Sequence, residues 1–163
     1  MRKVRILWTD DEVEALSSHI FFLQEKGYEI DTCSNGNDTI DLVKVNSYDL
    51  IFLDEHMPGL SGIETLRLIR EVRTDIPVVM ITKSEEEDIM EAAIGSEIAD
   101  YLIKPVKPNQ VLLAIKKILD QRRLFSEKTN IDYQQEFSRI TGMISSASTF
   151  HDWTELYRKI VFW

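Results

Sequence analysis

Apolar residues along the first three quarters of the chain follow two alternating rhythms. Short apolar runs at 4–9, 28–33, 50–53, 78–81 and 101–103 have the length and content of strands. Between them the apolar positions fall at helical offsets. Leu16, Ile20 and Leu23 share one face ahead of a helix stop at Gly27. Ile40 and Val43 turn inward over 37–45, and Ile63, Leu66 and Ile69 do so over 61–74, ahead of Pro77. An acidic opening suits the N-terminus of a fourth helix over 86–95. Val111, Ala114, Ile115, Ile118 and Leu119 make one stripe of a fifth over 109–123. Strand–helix units in succession predict an α/β fold: a doubly wound, five-stranded parallel sheet with helices on both faces.

After residue 123 the rhythm changes. Tyr133, Phe137, Ile140 and Ile144 predict a helix over 131–147. Asp152 and Glu155 form a capping box for a further helix, whose apolar stripe is Trp153, Leu156, Tyr157, Ile160 and Val161. The chain therefore divides into an α/β domain over 1–124 and a helical extension or linker over 125–163. The closing run Ile160, Val161, Phe162, Trp163 is unusually apolar. It implies either burial by the domain or a partner, or that the chain is the front part of something longer.

With 163 residues, 44% of them hydrophobic, the chain can bury one good core plus a small appendage. Net charge is −9: residues 1–124 carry 15 basic and 23 acidic groups, and 125–163 carry 4 and 5. Neither segment has the basic patch of a nucleic-acid-binding module, so direct nucleic-acid binding is not expected. There is no apolar run of membrane-spanning length. Asp10, Asp11 and Glu12 interrupt the start too early for a signal peptide. The one cysteine, Cys33, lies in a strand-like run and reads as buried packing. These features point to the cytoplasm.

In a doubly wound sheet the chemistry gathers at the C-terminal ends of the strands. There, Asp10 and Asp11 follow the first strand, Asp54 the third, Thr82 the fourth and Lys104 the fifth. Two carboxylates about 4–5 Å apart repel by about 3–4 kcal/mol at an effective dielectric near 20. A hard divalent cation relieves that repulsion, and a few oxygen ligands completed by water suit Mg²⁺. With an ammonium and a hydroxyl added around the same point, the set describes phosphoryl transfer to an aspartate.

These residues also carry a family resemblance. The run from Asp54 through Glu55, His56, Met57, Pro58 and Gly59 to Gly62 resembles the phosphoacceptor loop of two-component response-regulator receivers, with their flavodoxin-like fold. Asp10–Asp11, Thr82, and the run Tyr101, Leu102, Ile103, Lys104, Pro105 stand in that family's order. The resemblance covers about residues 4–124. It implies Asp54 as nucleophile toward a phosphohistidine or small acyl phosphate, with a sensor histidine kinase or phosphotransfer protein as partner. It implies Mg²⁺ on Asp11, Asp54 and the His56 backbone carbonyl, with Asp10 acting mainly through water. Lys104 would pair with the phosphoryl oxygens, Thr82 would donate a hydrogen bond, and Tyr101 would change rotamer. A cis Lys104–Pro105 bond is also implied. Two residues depart from the family's common pattern: Lys83 replaces a small residue after Thr82, and His56 is unusual two places after Asp54. They would modulate donor access and acyl-phosphate lifetime. The tail, with Trp8 and the stretch from His151 to Tyr157, is similar to PorX-like regulators associated with type IX secretion. The apolar stripe of the tail, together with the switch position of Tyr101, leads to the expectation that phosphorylation promotes self-association or tail rearrangement.

Each residue also has a plainer reading. Asp10 and Asp11 could cap the first helix, Thr82 could be an N-cap, and Lys104 a surface lysine; Tyr101 could be core. His19 reads as an exposed polar residue rather than a phosphotransfer histidine, and the acidic run at 85–88 as a solvated helix start. Asp54-x-His56-x-x-Gly59 also matches a cobalamin-binding signature, but that motif belongs after a first strand and with a Gly-Gly absent here. Haloacid-dehalogenase-type phosphatases need Asp-x-Asp after the first strand, which Asp10, Asp11, Glu12 does not supply. A degenerate receiver acting only as a docking module stands as the non-catalytic alternative.

Overall fold

The computed structural model describes residues 1–83 and 98–146, together with 154, 157 and 158. The helix expected over 86–95, Ser84, and the capping box and most of the stripe expected after 150 lie outside the described residues. The chain forms two compact units, Met1–Ile118 and Leu119–Trp163.

In the first unit the strands are β1 (Arg5–Thr9), β2 (Glu29–Cys33), β3 (Leu50–Asp54), β4 (Val78–Thr82) and β5 (Asp100–Ile103). They form one parallel sheet in the order β2-β1-β3-β4-β5. A 3-10 turn (Val13–Leu16) leads into α1 (Ser17–Glu25); α2 (Gly36–Val45) and α3 (Gly62–Val72) follow β2 and β3. The last helix, α4 (Pro108–Ser146), runs on into the second unit. This is the doubly wound, five-stranded sheet with a C-terminal helical extension that the apolar rhythm predicts.

Both faces of the sheet are covered, so its central strands are apolar throughout: every residue of β3 and β4 is buried. Because side chains alternate, Leu7, Ile51, Leu53, Val78 and Met80 enter one core with Ile40, Val43, Ile63, Leu66 and Ile69 of α2 and α3. The intervening residues face the opposite layer, where Trp8 meets Phe52 with ring centroids 5.0 Å apart. Cys33 is buried in the first core, as its surroundings in sequence suggest.

The helix ends explain themselves locally. Gly27 after α1 sits at φ +94°, where a side chain would be strained. Asn35 caps α2 by accepting from the Asp38 N–H at 2.8 Å. Ser61 and Glu64 form a reciprocal capping box at α3: the Ser61 hydroxyl accepts from the Glu64 N–H at 3.2 Å, and the Glu64 carboxylate accepts from the Ser61 N–H at 2.8 Å. Among the described residues, no helix is long and apolar enough to cross a membrane.

One expectation changes. The helices read separately over 109–123 and 131–147 are one continuous helix, α4. Nothing between Pro108 and Gly142 breaks a helix; the apolar stripe merely moves to another face. Val111, Ala114, Ile115 and Ile118 are buried, whereas Leu124, Phe125, Ile131, Tyr133 and Phe137 are exposed.

Candidate functional site

Strand order decides which polar ends meet. β1 lies against β3 although β2 separates them in sequence, and the helices on the two faces part at this switch point. Thr9 pairs with Leu53, so one step further along the sheet edge Asp10 comes beside Asp54. Across the other side of β3, Asp54 pairs with Ile81; beyond that, Thr82 pairs with Ile103. The Lys104 N–H donates to the Thr82 carbonyl at 2.7 Å, extending the β4–β5 ladder by one residue. The Lys104–Pro105 bond is cis.

Carboxylate oxygens of Asp10, Asp11 and Asp54 lie within 4.8 Å of one another. Asp10 and Asp54 are each 1% exposed, whereas Asp11 faces solvent. Lys104 reaches between the two buried carboxylates, its Nζ 2.8 Å from Asp10 Oδ2 and 3.4 Å from Asp54 Oδ1. Asp10 does not cap α1; its Oδ1 accepts from the Glu12 N–H at 2.8 Å and closes the turn after β1. Burial pushes the Asp54 carboxyl above its ordinary value, and the Asp10 charge pushes the same way against Lys104. Burial works against the Lys104 ammonium, but its hydrogen bond to Asp10 and the charges of Asp10 and Asp54 outweigh that and raise its pKa.

The remaining predicted residues surround this cluster. Thr82 is buried at the end of β4. His56 is exposed in the loop after β3, its N–H 3.4 Å from Asp54 Oδ1. Lys83 is exposed and faces Glu12 across the site, Nζ to Oε2 3.9 Å. Tyr101 stands on β5, 38% exposed, rather than in the core. His19 departs from its expected exposure: it is half-buried on α1, and its Nε2 bonds to the Val106 carbonyl.

Two residues of the run from Asp54 to Gly62 have roles that their place in the sequence does not reveal. Glu55 is 7% exposed, and its Oε2 accepts from the Ile63 N–H at 2.9 Å. It thereby ties the first turn of α3 to the strand end that carries Asp54. Burial pushes its carboxyl upward, the Ile63 N–H opposing. Its sequence signal, a charged residue directly after a buried strand, is shared by Asp54 and hidden behind it. Gly62 is the other. A Cβ there would stand 2.5 Å from the Asp54 carbonyl oxygen and 2.8 Å from the Glu55 Cα, so glycine lets α3 start against the site's own backbone.

A sheet of this order, with three carboxylates and a lysine at the β1–β3 switch point, defines a receiver. Residues 6–116 match the response regulator receiver domain family, and the chain belongs to it. Residues 123–163 match the PorX response regulator linker domain. Two relatives are the transcriptional regulatory protein ResD and the alkaline phosphatase synthesis transcriptional regulatory protein PhoP, both of Bacillus subtilis. ResD is 36% identical over 117 residues, which make up 72% of this chain and 48% of ResD. PhoP is 28% identical over 157 residues, 95% of this chain and 64% of PhoP. The chain thus spans between about half and two thirds of the length of these curated relatives. Among solved structures, a two-component response regulator from Clostridium difficile superposes with a TM-score of 0.70 at 32% identity, covering 74% of this chain and 98% of that one.

Proposed function

We propose that this receiver accepts a phosphoryl group on Asp54 from the phosphohistidine of a sensor histidine kinase or phosphotransfer protein, or from a small acyl phosphate. The observation that carries the reading is the meeting of Asp10, Asp11 and Asp54 within 4.8 Å, with the Lys104 ammonium 3.4 Å from Asp54. In the transfer an Asp54 carboxylate oxygen bonds to phosphorus. The bond from phosphorus to the imidazole nitrogen or acyl oxygen breaks, and the leaving group keeps the electron pair. Lys104 pairs with the phosphoryl oxygens in place of the free Asp54 carboxylate, and Thr82 donates to them. His56 and Lys83, at the mouth of the site, modulate donor access and the lifetime of the acyl phosphate.

The donor chemistry fits a hard cation. All the clustered ligands are carboxylate oxygens, and one of them, on Asp11, faces solvent, which suits a metal that keeps several waters. Asp11, Asp54 and the His56 backbone carbonyl would hold Mg²⁺, with Asp10 contributing through water. When bound, Mg²⁺ neutralises the negative charge that develops on the transferring group.

Output follows from packing. Phosphoryl transfer changes the charge beside Thr82, Tyr101 on β5 changes rotamer, and the altered face promotes self-association or rearrangement of the tail. The match of residues 123–163 to a regulator linker supports dividing the chain into a receiver over 1–124 and a helical extension over 125–163 that leads to an output region. The same match supports a role in type IX secretion control, and a cytoplasmic location accords with a kinase partner. The acidic charge disfavours direct nucleic-acid binding by these residues.

Intact-mass spectrometry after incubation with acetyl phosphate and Mg²⁺ tests the reading. A phosphoryl adduct is expected on the wild type, absent in Asp54→Asn and lost when EDTA is present. Lack of an adduct from both acetyl phosphate and a phosphorylated kinase would refute it in favour of a docking module.

A further inference from the structure

The sheet ends on an open edge. β2 is its outer strand and, among the described residues, pairs with β1 alone. The Glu29 N–H donates to the Val4 carbonyl at 2.9 Å, and the Cys33 carbonyl accepts from the Asp10 N–H at 3.0 Å, so these residues bond inward, to the two ends of β1. Bonding alternates from side to side along a parallel strand, so the N–H and C=O groups of Ile30 and Thr32 turn to the free edge. Such a row of groups is a template for one more strand.

Side chains give that edge a charge and two distinct faces. At its C-terminal end lies a cleft of about 630 Å³, lined by Thr32, by Val13 of the 3-10 turn and by α2. From α2 come Asp38, Asp41, Leu42 and Val45, spaced i, i+3, i+4 and i+7 and so on one helix face. Val45 leaves 80% of its surface exposed there, and both charged side chains of the lining are carboxylates. At the other end of β2 a cleft of about 390 Å³ sets Lys3 and Arg5 against Glu29 and Asp31, with Arg5 and Asp31 paired at 2.7 Å. Charge is thus balanced at one end of the edge and negative beside α2. Side chains also alternate along β2. Glu29, Asp31 and Cys33 share the face of Leu7, which α2 covers, whereas Ile30 and Thr32 share the face of Ile6 and Trp8.

We propose that the edge of β2 docks an extended segment of a partner protein in which lysine or arginine alternates with β-branched apolar residues, and that this segment joins the sheet as a sixth strand. Its basic residues stand on the α2 side, beside Glu29 and within reach of Asp38 and Asp41. Its apolar residues stand on the other side, as cross-strand neighbours of Ile30 and Thr32. Backbone bonds to Ile30 and Thr32 hold the strand, and the carboxylates select its charge. A second copy of this chain is the wrong occupant. It brings a net charge of −9 against the same charge, and its own β2 carries Glu29 and Asp31 where basic residues are called for. The docking is independent of the phosphoryl chemistry proposed for Asp54.

The test is nitrogen-15 NMR of the full chain titrated with a short peptide that alternates valine and lysine. The Ile30 and Thr32 amides are expected to shift saturably and to exchange more slowly with deuterated solvent. A valine–glutamate counterpart should bind about tenfold more weakly or worse, and so should the valine–lysine peptide on a chain carrying Asp38→Asn with Asp41→Asn, the scale of two exposed ion pairs. Both substitutions fall on exposed side chains, so the fold is kept. The fully N-methylated valine–lysine peptide keeps its charge but loses every backbone donor, and it should not bind. Equal binding of that peptide reduces the effect to charge attraction and overturns the added strand. Ile30 and Thr32 amides that stay in place overturn the docking outright. A doubled mass without peptide, with those two amides already protected, assigns the edge to a second copy and overturns the partner.

Discussion

At the residue scale the site is held under electrostatic strain. Two carboxylates, each 1% exposed, share the single ammonium of Lys104, and burial, then the charge of Asp10, makes ionised Asp54 unfavourable. Asp54→Asn removes that repulsion, so it should raise stability by about 0.5–2 kcal/mol in metal-free buffer even as it removes the phosphoryl acceptor. Urea unfolding checks this, and added Mg²⁺ should narrow the gap by stabilising the wild type more. Far from the site, Tyr48 provides a pH signature. Its hydroxyl donates to Asp31 at 2.7 Å, and Arg5 lies 5.2 Å above its ring. Burial, then the hydrogen bond and charge of Asp31, hold the phenol well above its ordinary value of 10.0. A raised folded pKa means that the stabilisation is complete below the unfolded value and fades as pH climbs past it. Tyr48→Phe should therefore cost about 1 kcal/mol at neutral pH. Its deficit against the wild type should shrink from about pH 10 upward, read from urea midpoints across the alkaline range. Asp10, Asp54, Thr82 and Lys104 are legible in sequence because each polar residue ends or directly follows a strand. The Glu12–Lys83 pair is not, because it depends on which side chains from distant segments face each other.

At the element scale, α3 is where local chemistry supports the site. Its capping box orders the chain just after the loop carrying His56, and Glu55 and Gly62 tie its first turn to the end of β3. Ser61→Ala should cost about 1 kcal/mol of stability, measured by urea denaturation. Strands and short helices were readable because their periods differ and glycine or proline punctuates them. The continuity of α4 was not, because a change of apolar face resembles a break when burial is unknown. The physical distinction is that only a lost backbone hydrogen bond or a disfavoured backbone angle ends a helix; a rotation of the stripe changes only what the helix packs against.

At the scale of the whole molecule, exposed Leu124, Phe125, Ile131, Tyr133 and Phe137 give α4 apolar surface suited to association. Light scattering with and without beryllofluoride as a phosphoryl mimic should show a doubled mass in the activated state; identical masses and identical tail proteolysis would sink the self-association reading. The alternation of strands and helices, the buried character of the sheet and the polar residues at the strand ends were determined by sequence alone, since periodicity and side-chain chemistry are local properties. Only the tertiary structure decided that β1 lies beside β3, which sets Asp10 against Asp54. The same holds for the reach of Lys104 across the sheet to Asp10. Those facts depend on contacts between residues as many as 94 positions apart, and a one-dimensional pattern carries no distance between segments.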